Sequence, residues 1–210
     1  MDRTLISLVA SAATTHVVGE FQRHTSPQYR TLSGSRGGGR WGPPGAFPVI
    51  YLGRPTASIV AEAYRHLVDV SSGMTGDQVG PRLLLTCDVS ASNVLDVREV
   101  EVRDLLGLTT EDLTSFDYTR CQAIGAAAHQ LGLSGVLAPA ATGLGETLAL
   151  FELNLAASEQ PRLTDREIWA KLPADPRPEP ERSLVDDLMS RRPRRAVRSE
   201  ESESDEEGNA

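Results

Sequence analysis

The segment Ser33–Pro44, SGSRGGGRWGPP, combines two residue types suited to holding a small anion. Gly37, Gly38 and Gly39 stand in a row, and a backbone without Cβ atoms can approach a ligand closely. Arg36 and Arg40 flank them, with Arg23 and Arg30 upstream. A guanidinium fork matches phosphate oxygens two at a time, so glycines set among arginines suggest an anionic, pyrophosphate-bearing ligand. This is not a Walker loop, because no Gly-Lys-Ser/Thr follows, nor a GxGxxG turn that opens a helix after a strand. On composition alone, a flexible Gly-Arg surface loop has the same signature. The histidines add no metal chemistry: His16, His66 and His129 lack ligand spacing with one another, so no metal is assigned.

The elements that must position this segment alternate along the chain. Pro48–Gly53 (PVIYLG) reads as a short buried strand. Thr56–Asp69 reads as a helix with Val60, Ala63, Tyr64 and Leu67 on one face and Glu62, Arg65 and His66 on the polar side. Arg82–Val89 and Val94–Val97 read as two strands separated by a turn at SASN. Val100–Leu106 suits a short helix. A longer helix spans Tyr118–Leu131, with Asp117 as N-cap and a buried stripe of Cys121, Ile124, Ala128 and Leu131. Gly135–Ala140 and Thr147–Asn154 complete the set as strands. The predicted class is α+β, with short strands and few long helices.

Composition sets the outer limits. The apolar runs are far shorter than a membrane span needs, which excludes an integral helical membrane protein. Leu5–Ala13 is short, broken by serines and preceded by one Asp and one Arg, so it reads as an amphipathic helix or a first structural element, and the chain as cytoplasmic. Cys87 and Cys121 are too few for a disulfide framework or a four-ligand zinc site. The net charge of -8 disfavours direct nucleic-acid binding. Part of that charge sits in a tail, where Arg191, Arg192, Arg194, Arg195 and Arg198 precede the acidic run SEESESDEE at 199–207. The expected organisation is an N-terminal segment at 1–14 and a folded domain at 15–172. A Pro-rich linker and disordered basic-then-acidic tail follow at 173–210, with a short helix conceivable at Ser183–Met189.

Several of these pieces, taken in order, resemble the RES-domain family. They are Arg23-His24, GGRW at Gly38–Trp41 with PPG behind it, FPVIYL at Phe47–Leu52 and Ala61-Glu62; DYTRCQAIGAAAHQLGLSGVLAPAA at 117–141 forms a second block. The resemblance covers roughly residues 20–155. It implies a compact fold similar to the ADP-ribosyltransferase toxins, with NAD bound in a cleft as substrate and no metal. It also implies the toxin half of a RES–Xre toxin–antitoxin pair, with a DNA-binding antitoxin covering the cleft and a homo-oligomer conceivable through that complex. The implied chemistry is cleavage of the nicotinamide–ribose bond, with water or inorganic phosphate as acceptor. Two alternatives keep the same site: a protein ADP-ribosyltransferase, or a degenerate domain that binds a nucleotide or partner without turnover.

Site roles carry over residue by residue. Glu62 would stabilise the oxocarbenium-like ribosyl cation, as a carboxylate does in glycoside hydrolysis. Arg23 and Arg40 would hold the diphosphate beside Gly39, and Tyr51 would pack on the nicotinamide or hydrogen-bond the ribose. The family's serine falls on Thr119, with Ser134 as the weaker substitute. His24 stands where some members have tyrosine, as a ligand contact or a partly buried ring. Read without the resemblance, Glu62 belongs to a solvated helix face, Tyr51 to a strand core, and Trp41 is a packing anchor. Two departures bear on activity: Thr119 is β-branched, and Gly42 replaces the asparagine that often follows the tryptophan.

Overall fold

The computed structural model describes residues 2–178 of the chain. Its helices are α1 (Arg3–Ser11), α2 (Thr56–Leu67), α3 (Val100–Leu106), α4 (Thr110–Thr114) and α5 (Thr119–Gln130). Its strands are β1 (Thr14–Thr25), β2 (Val49–Arg54), β3 (Arg82–Asp96), β4 (Gly135–Pro139), β5 (Glu146–Phe151) and β6 (Arg162–Trp169). The architecture is α+β, as the alternation of elements predicts. The strand order is β1-β2-β5-β4-β3-β6, and β1 also pairs with β3, so the first five strands curl back on one another. Pairing is antiparallel except between β3 and β4, where α3, α4 and α5 form the crossover that a parallel pair requires.

The two-residue period of the strands separates two cores. Ile50 and Leu52 of β2 point inward with Leu137, Leu148, Leu150 and Phe21. Val49, Val136, Ala149 and Phe151 face the other way and meet Cys121, Ile124 and Ala128 of α5. Because β2, β4 and β5 are covered on both faces, they read in sequence as nearly unbroken apolar runs. The Asp2 side chain caps α1 by accepting from the Thr4 amide at 2.9 Å, and Val9 is buried in the second core. At the other end, Pro173 accepts a hydrogen bond from the Tyr64 hydroxyl and Arg177 pairs with Asp69, both on or next to α2. The helix conceived at Ser183–Met189 and the tail at 179–210 lie outside the described residues.

The expected turn at SASN is not formed. β3 runs unbroken from Arg82 to Asp96, because β1 pairs along its length from Thr25↔Leu83 to Thr14↔Leu95. The polar Ser90, Ser92 and Asn93 are the solvent side of a two-residue alternation in which Val89, Ala91 and Val94 are buried. Asn93 has φ 56 and the pairing shifts between Thr15 and Val17, so the strand absorbs an irregularity without turning. Leu131 is also not in the core: the helix ends at Gln130, and Leu131 is 36% exposed beyond it. The last expected strand stops at Phe151 and gives way to a single turn over Glu152–Asn154.

Candidate active site

A cavity of about 440 Å³ opens between the Gly-rich turn, β1, β2 and α2. Its volume falls within the range of small-molecule sites. Glu62 lies on the face of α2 that looks into it, one turn after Ser58 and one turn before Arg65 and His66. Both sides of the helix are therefore engaged. Val60 and Ala63 are in the protein core, while the polar side lines the cavity. The Glu62 carboxylate is 20% exposed, and His66 Nε2 lies 3.3 Å from its Oε2.

Tyr51 projects from β2 onto the cavity wall. Its hydroxyl accepts a hydrogen bond from the Trp41 amide at 2.9 Å, and burial raises the phenol's pKa well above its ordinary value. The phenol keeps its proton and can donate it toward a ligand. Gly39 makes this contact possible, since a Cβ there would stand 2.6 Å from the Tyr51 oxygen. The glycine turn itself is held by Gly39 N–H donating to the Gly42 carbonyl at 3.0 Å and by Gln122 Nε2 donating to the Gly39 carbonyl at 3.0 Å. A side chain at Gly42 would meet Val49 Cγ2 at 2.6 Å, so glycine suits this packing where the family often has asparagine. Trp41 is buried and its backbone rests on α5, where any Cβ on Gly125 would approach the Trp41 carbonyl oxygen to 2.0 Å.

The charge lining the cavity is mostly positive. Arg23 donates to the Ser33 carbonyl at 3.1 Å, and burial lowers its pKa, an effect partly offset by Glu152. Arg40 donates to the carbonyls of Asp112 at 2.6 Å and Ser115 at 2.8 Å, with its guanidinium 4.6 Å from the centre of the Tyr118 ring. Arg65 is 9% exposed, donates to the Thr114 and Ser115 carbonyls, and lies 4.3 Å from the centre of the Phe116 ring. His24 is pushed down to about 3 by burial, then by Arg82, His66 and Arg23, so it is neutral near pH 7. Its Nδ1 lies 3.3 Å from Arg82 Nη2.

The RES domain family model matches residues 16–172. The chain belongs to the RES-domain family. The NAD(+) phosphorylase MbcT of Mycobacterium tuberculosis is 33% identical over 155 residues, covering 72% of this chain and 83% of that protein. The probable NAD(+) phosphorylase Rv3189 of the same organism is 39% identical over 120 residues, 56% of this chain and 55% of its own length. A crystal structure of the M. tuberculosis MbcT–MbcA toxin–antitoxin complex matches with a TM-score of 0.72 and 30% identity, covering 80% of this chain and 93% of that one.

Six of the seven residues singled out from the sequence line the cavity of this RES domain: Arg23, His24, Gly39, Arg40, Tyr51 and Glu62. Thr119 does not. It is the first residue of α5, is exposed, and lines a separate depression with Leu5, Asp117 and Ala123, while its amide donates to Asp117 Oδ1 at 2.9 Å. Ser134 is buried elsewhere, its amide bonded to the Asn93 carbonyl. Of the loop arginines, Arg36 bonds the Gly45 and Ala46 carbonyls of its own loop, and Arg30 is exposed. Among the cavity residues that sequence reasoning missed are Ser58, Arg65 and Tyr118. Ser58 and Arg65 were legible as a helical stripe with Glu62, at i, i+4 and i+7, but only as a polar face. Among the described residues, no three His, Cys, Asp or Glu side chains gather to hold a metal.

Proposed function

We propose that this RES domain cleaves the nicotinamide–ribose bond of NAD and passes the ADP-ribosyl group to inorganic phosphate. The observation that carries the reading is Glu62, the carboxylate lining a cavity that also holds three arginines and a proton-bearing Tyr51. The similarity to two NAD(+) phosphorylases supports the same choice of substrate and acceptor. In this reaction the C1–N bond breaks, its electron pair leaves with nicotinamide, and the ribosyl carbon becomes cationic. The Glu62 carboxylate faces that charge. Two unit charges about 4 Å apart in an effective dielectric of about 20 attract by about 4 kcal/mol, roughly a thousandfold in rate. A phosphate oxygen then forms the new bond to C1. Arg23 and Arg40 hold the diphosphate, and Tyr51 positions the ribose or nicotinamide.

The test is nicotinamide release from NAD by purified protein, with and without inorganic phosphate. Release that requires phosphate, yields a phosphorylated ADP-ribose and fails in Glu62→Gln supports the reading. Phosphate-independent release would instead mean hydrolysis. ADP-ribose appearing on a polypeptide would mean protein transfer, and tight NAD binding without release would mean a degenerate domain.

We infer further that the chain acts as a cytoplasmic toxin, where NAD is available, restrained by a DNA-binding antitoxin of the Xre kind. The similarity to the toxin of a toxin–antitoxin complex supports this. The partner's site is the Gly-rich turn, because covering it closes the way to Arg40 and Glu62. A complex that leaves those two residues open to solvent would overturn that placement.

A further inference from the structure

Arg23 and Arg40 have individual roles in the proposed reaction, and Arg65 has none yet. Two guanidinium groups, Arg40 from the Gly-rich turn and Arg65 from α2, both donate to the Ser115 carbonyl oxygen, at 2.8 and 3.0 Å. Sharing one acceptor, their Nη2 atoms lie within about 6 Å of each other. Each is fixed further by a second carbonyl and an aromatic ring beneath it. Neither forms an ion pair with a carboxylate among the described residues. Like charges brought together and left uncancelled need an anion. The Nε of Arg65 is buried and has no hydrogen-bond partner among the described residues, although the side chain lines the cavity. A buried donor without a partner, on a guanidinium that lines the cavity and shares an acceptor with a second cation, is unsatisfied until an oxyanion is drawn in.

We propose that Arg65, with Arg40, forms a cradle for a phosphate oxyanion next to Glu62. Arg65 is one helical turn from Glu62, so a phosphate held there is within reach of the ribosyl carbon that Glu62 faces. That group is either the diphosphate of NAD, which Arg40 already holds, or the free acceptor phosphate drawn in beside it. Both offer the same oxygens to the same two forks. The inference rests on the phosphorolysis reading for the identity of these two sources, and on the geometry for the cradle.

Two measurements test it. In the first, the apparent KM for inorganic phosphate and for NAD is determined separately in Arg65→Gln and Arg65→Lys. A tenfold or greater rise in the phosphate KM, with kcat within threefold and Lys partly rescuing, assigns the cradle to the acceptor. The same rise in the NAD KM assigns it to the diphosphate. A folded Arg65→Gln protein with both KM values unchanged overturns the proposal. The second measurement needs no substitution in the test sample and so survives a variant that fails to fold. The Arg65 Nε–Hε resonance of the full chain is followed by NMR as inorganic phosphate, or in a parallel sample ADP-ribose, is added. A saturable shift with either supports the cradle, and no shift with both overturns it. A shift with phosphate in a protein that releases no nicotinamide would sink the phosphorolysis reading and leave the cradle standing. Phosphate-dependent release with an unmoved resonance would do the reverse.

Discussion

Two groups of arginines in this domain have opposite electrostatic environments. At one end of β2, Arg54 and Arg98 both grip Glu146 at 2.6 Å, and Arg98 also forks onto Asp96 at 2.7 and 2.9 Å. The carboxylates hold the Arg98 pKa above its ordinary value. Around the cavity, Arg23, Arg40 and Arg65 are fixed just as firmly, but by the carbonyls of Ser33, Asp112, Thr114 and Ser115. A carbonyl fixes a guanidinium's direction without cancelling its charge. The first group is therefore a brace, and the second is a pre-oriented positive field facing an open space. At an effective dielectric of about 20, two unit charges about 6 Å apart repel by about 3 kcal/mol, which a bound anion would reverse.

The sharpest way to break this contrast is to remove the carboxylate in the cavity. Glu62→Gln leaves shape intact and deletes the charge proposed to face the ribosyl cation. The expected loss in nicotinamide release is roughly a hundred- to ten-thousandfold, the span seen for single charge-stabilising groups and acid–base groups. The melting temperature should change little, since among the described residues the ion-pair distance to Glu62 is met by the half-exposed His66 alone. Undiminished release would mean that the positive cavity acts without its carboxylate.

A smaller effect separates the two arginine groups directly. Asp96 is buried and accepts three bonds from Arg98, so Asp96→Asn should destabilise the fold by about 1–2 kcal/mol, discounted because the Arg98 side chain is 37% exposed. Turnover per folded molecule should persist. Arg40→Gln should show the opposite pattern: tenfold or more lost in release, and about 1 kcal/mol or less in stability, because relief of repulsion from Arg65 offsets the lost carbonyl bonds. Urea unfolding and nicotinamide release on the same preparations distinguish the patterns. If Arg40→Gln unfolds the protein while Asp96→Asn barely affects it, the brace and the field have been assigned the wrong way round.

The contrast was only half visible in the sequence. Arg23, Arg40, Tyr51 and Glu62 could be found because the glycine motif and the short apolar strand carry them in a recognisable order. Arg65 could not, because helical periodicity tells that a face is polar but not whether water or a cavity lies against it. The same limit hid β3's continuity: serines that alternate with buried Val89 and Ala91 carry turn chemistry locally, and only the long β1 partner makes them strand. β6 left no signal, since its eight residues are mostly exposed and held by their ladder to β3, not by an apolar period. The placing of Thr119 depended on where α5 starts. Its neighbour Tyr118 points into the cavity, while Thr119 lies outside it.

His24 probes first the burial of the cavity wall and then the charge around it. Burial, Arg82, His66 and Arg23 hold its folded pKa at about 3, against about 6.5 in an unfolded chain. Between those values the unfolded chain takes up a proton that the folded protein refuses. Stability is therefore lost as pH falls through that window and is flat above it, with His24 contributing at most about 1.4 kcal/mol per pH unit. His129, which burial also lowers, contributes to wild type and variant alike, so subtracting a His24→Gln stability curve isolates the one residue. The expected difference is a wild-type slope steeper than the variant's between about pH 6 and 4, measured by urea unfolding. A bound phosphate or ADP-ribose should flatten it, because an anion among the arginines makes the proton on His24 easier to hold. Equal slopes in the two proteins would mean that neither burial nor the neighbouring cations keep His24 neutral, and a bound anion that leaves the wild-type slope unchanged would mean that the cavity's arginines are already neutralised, like those gripping Glu146.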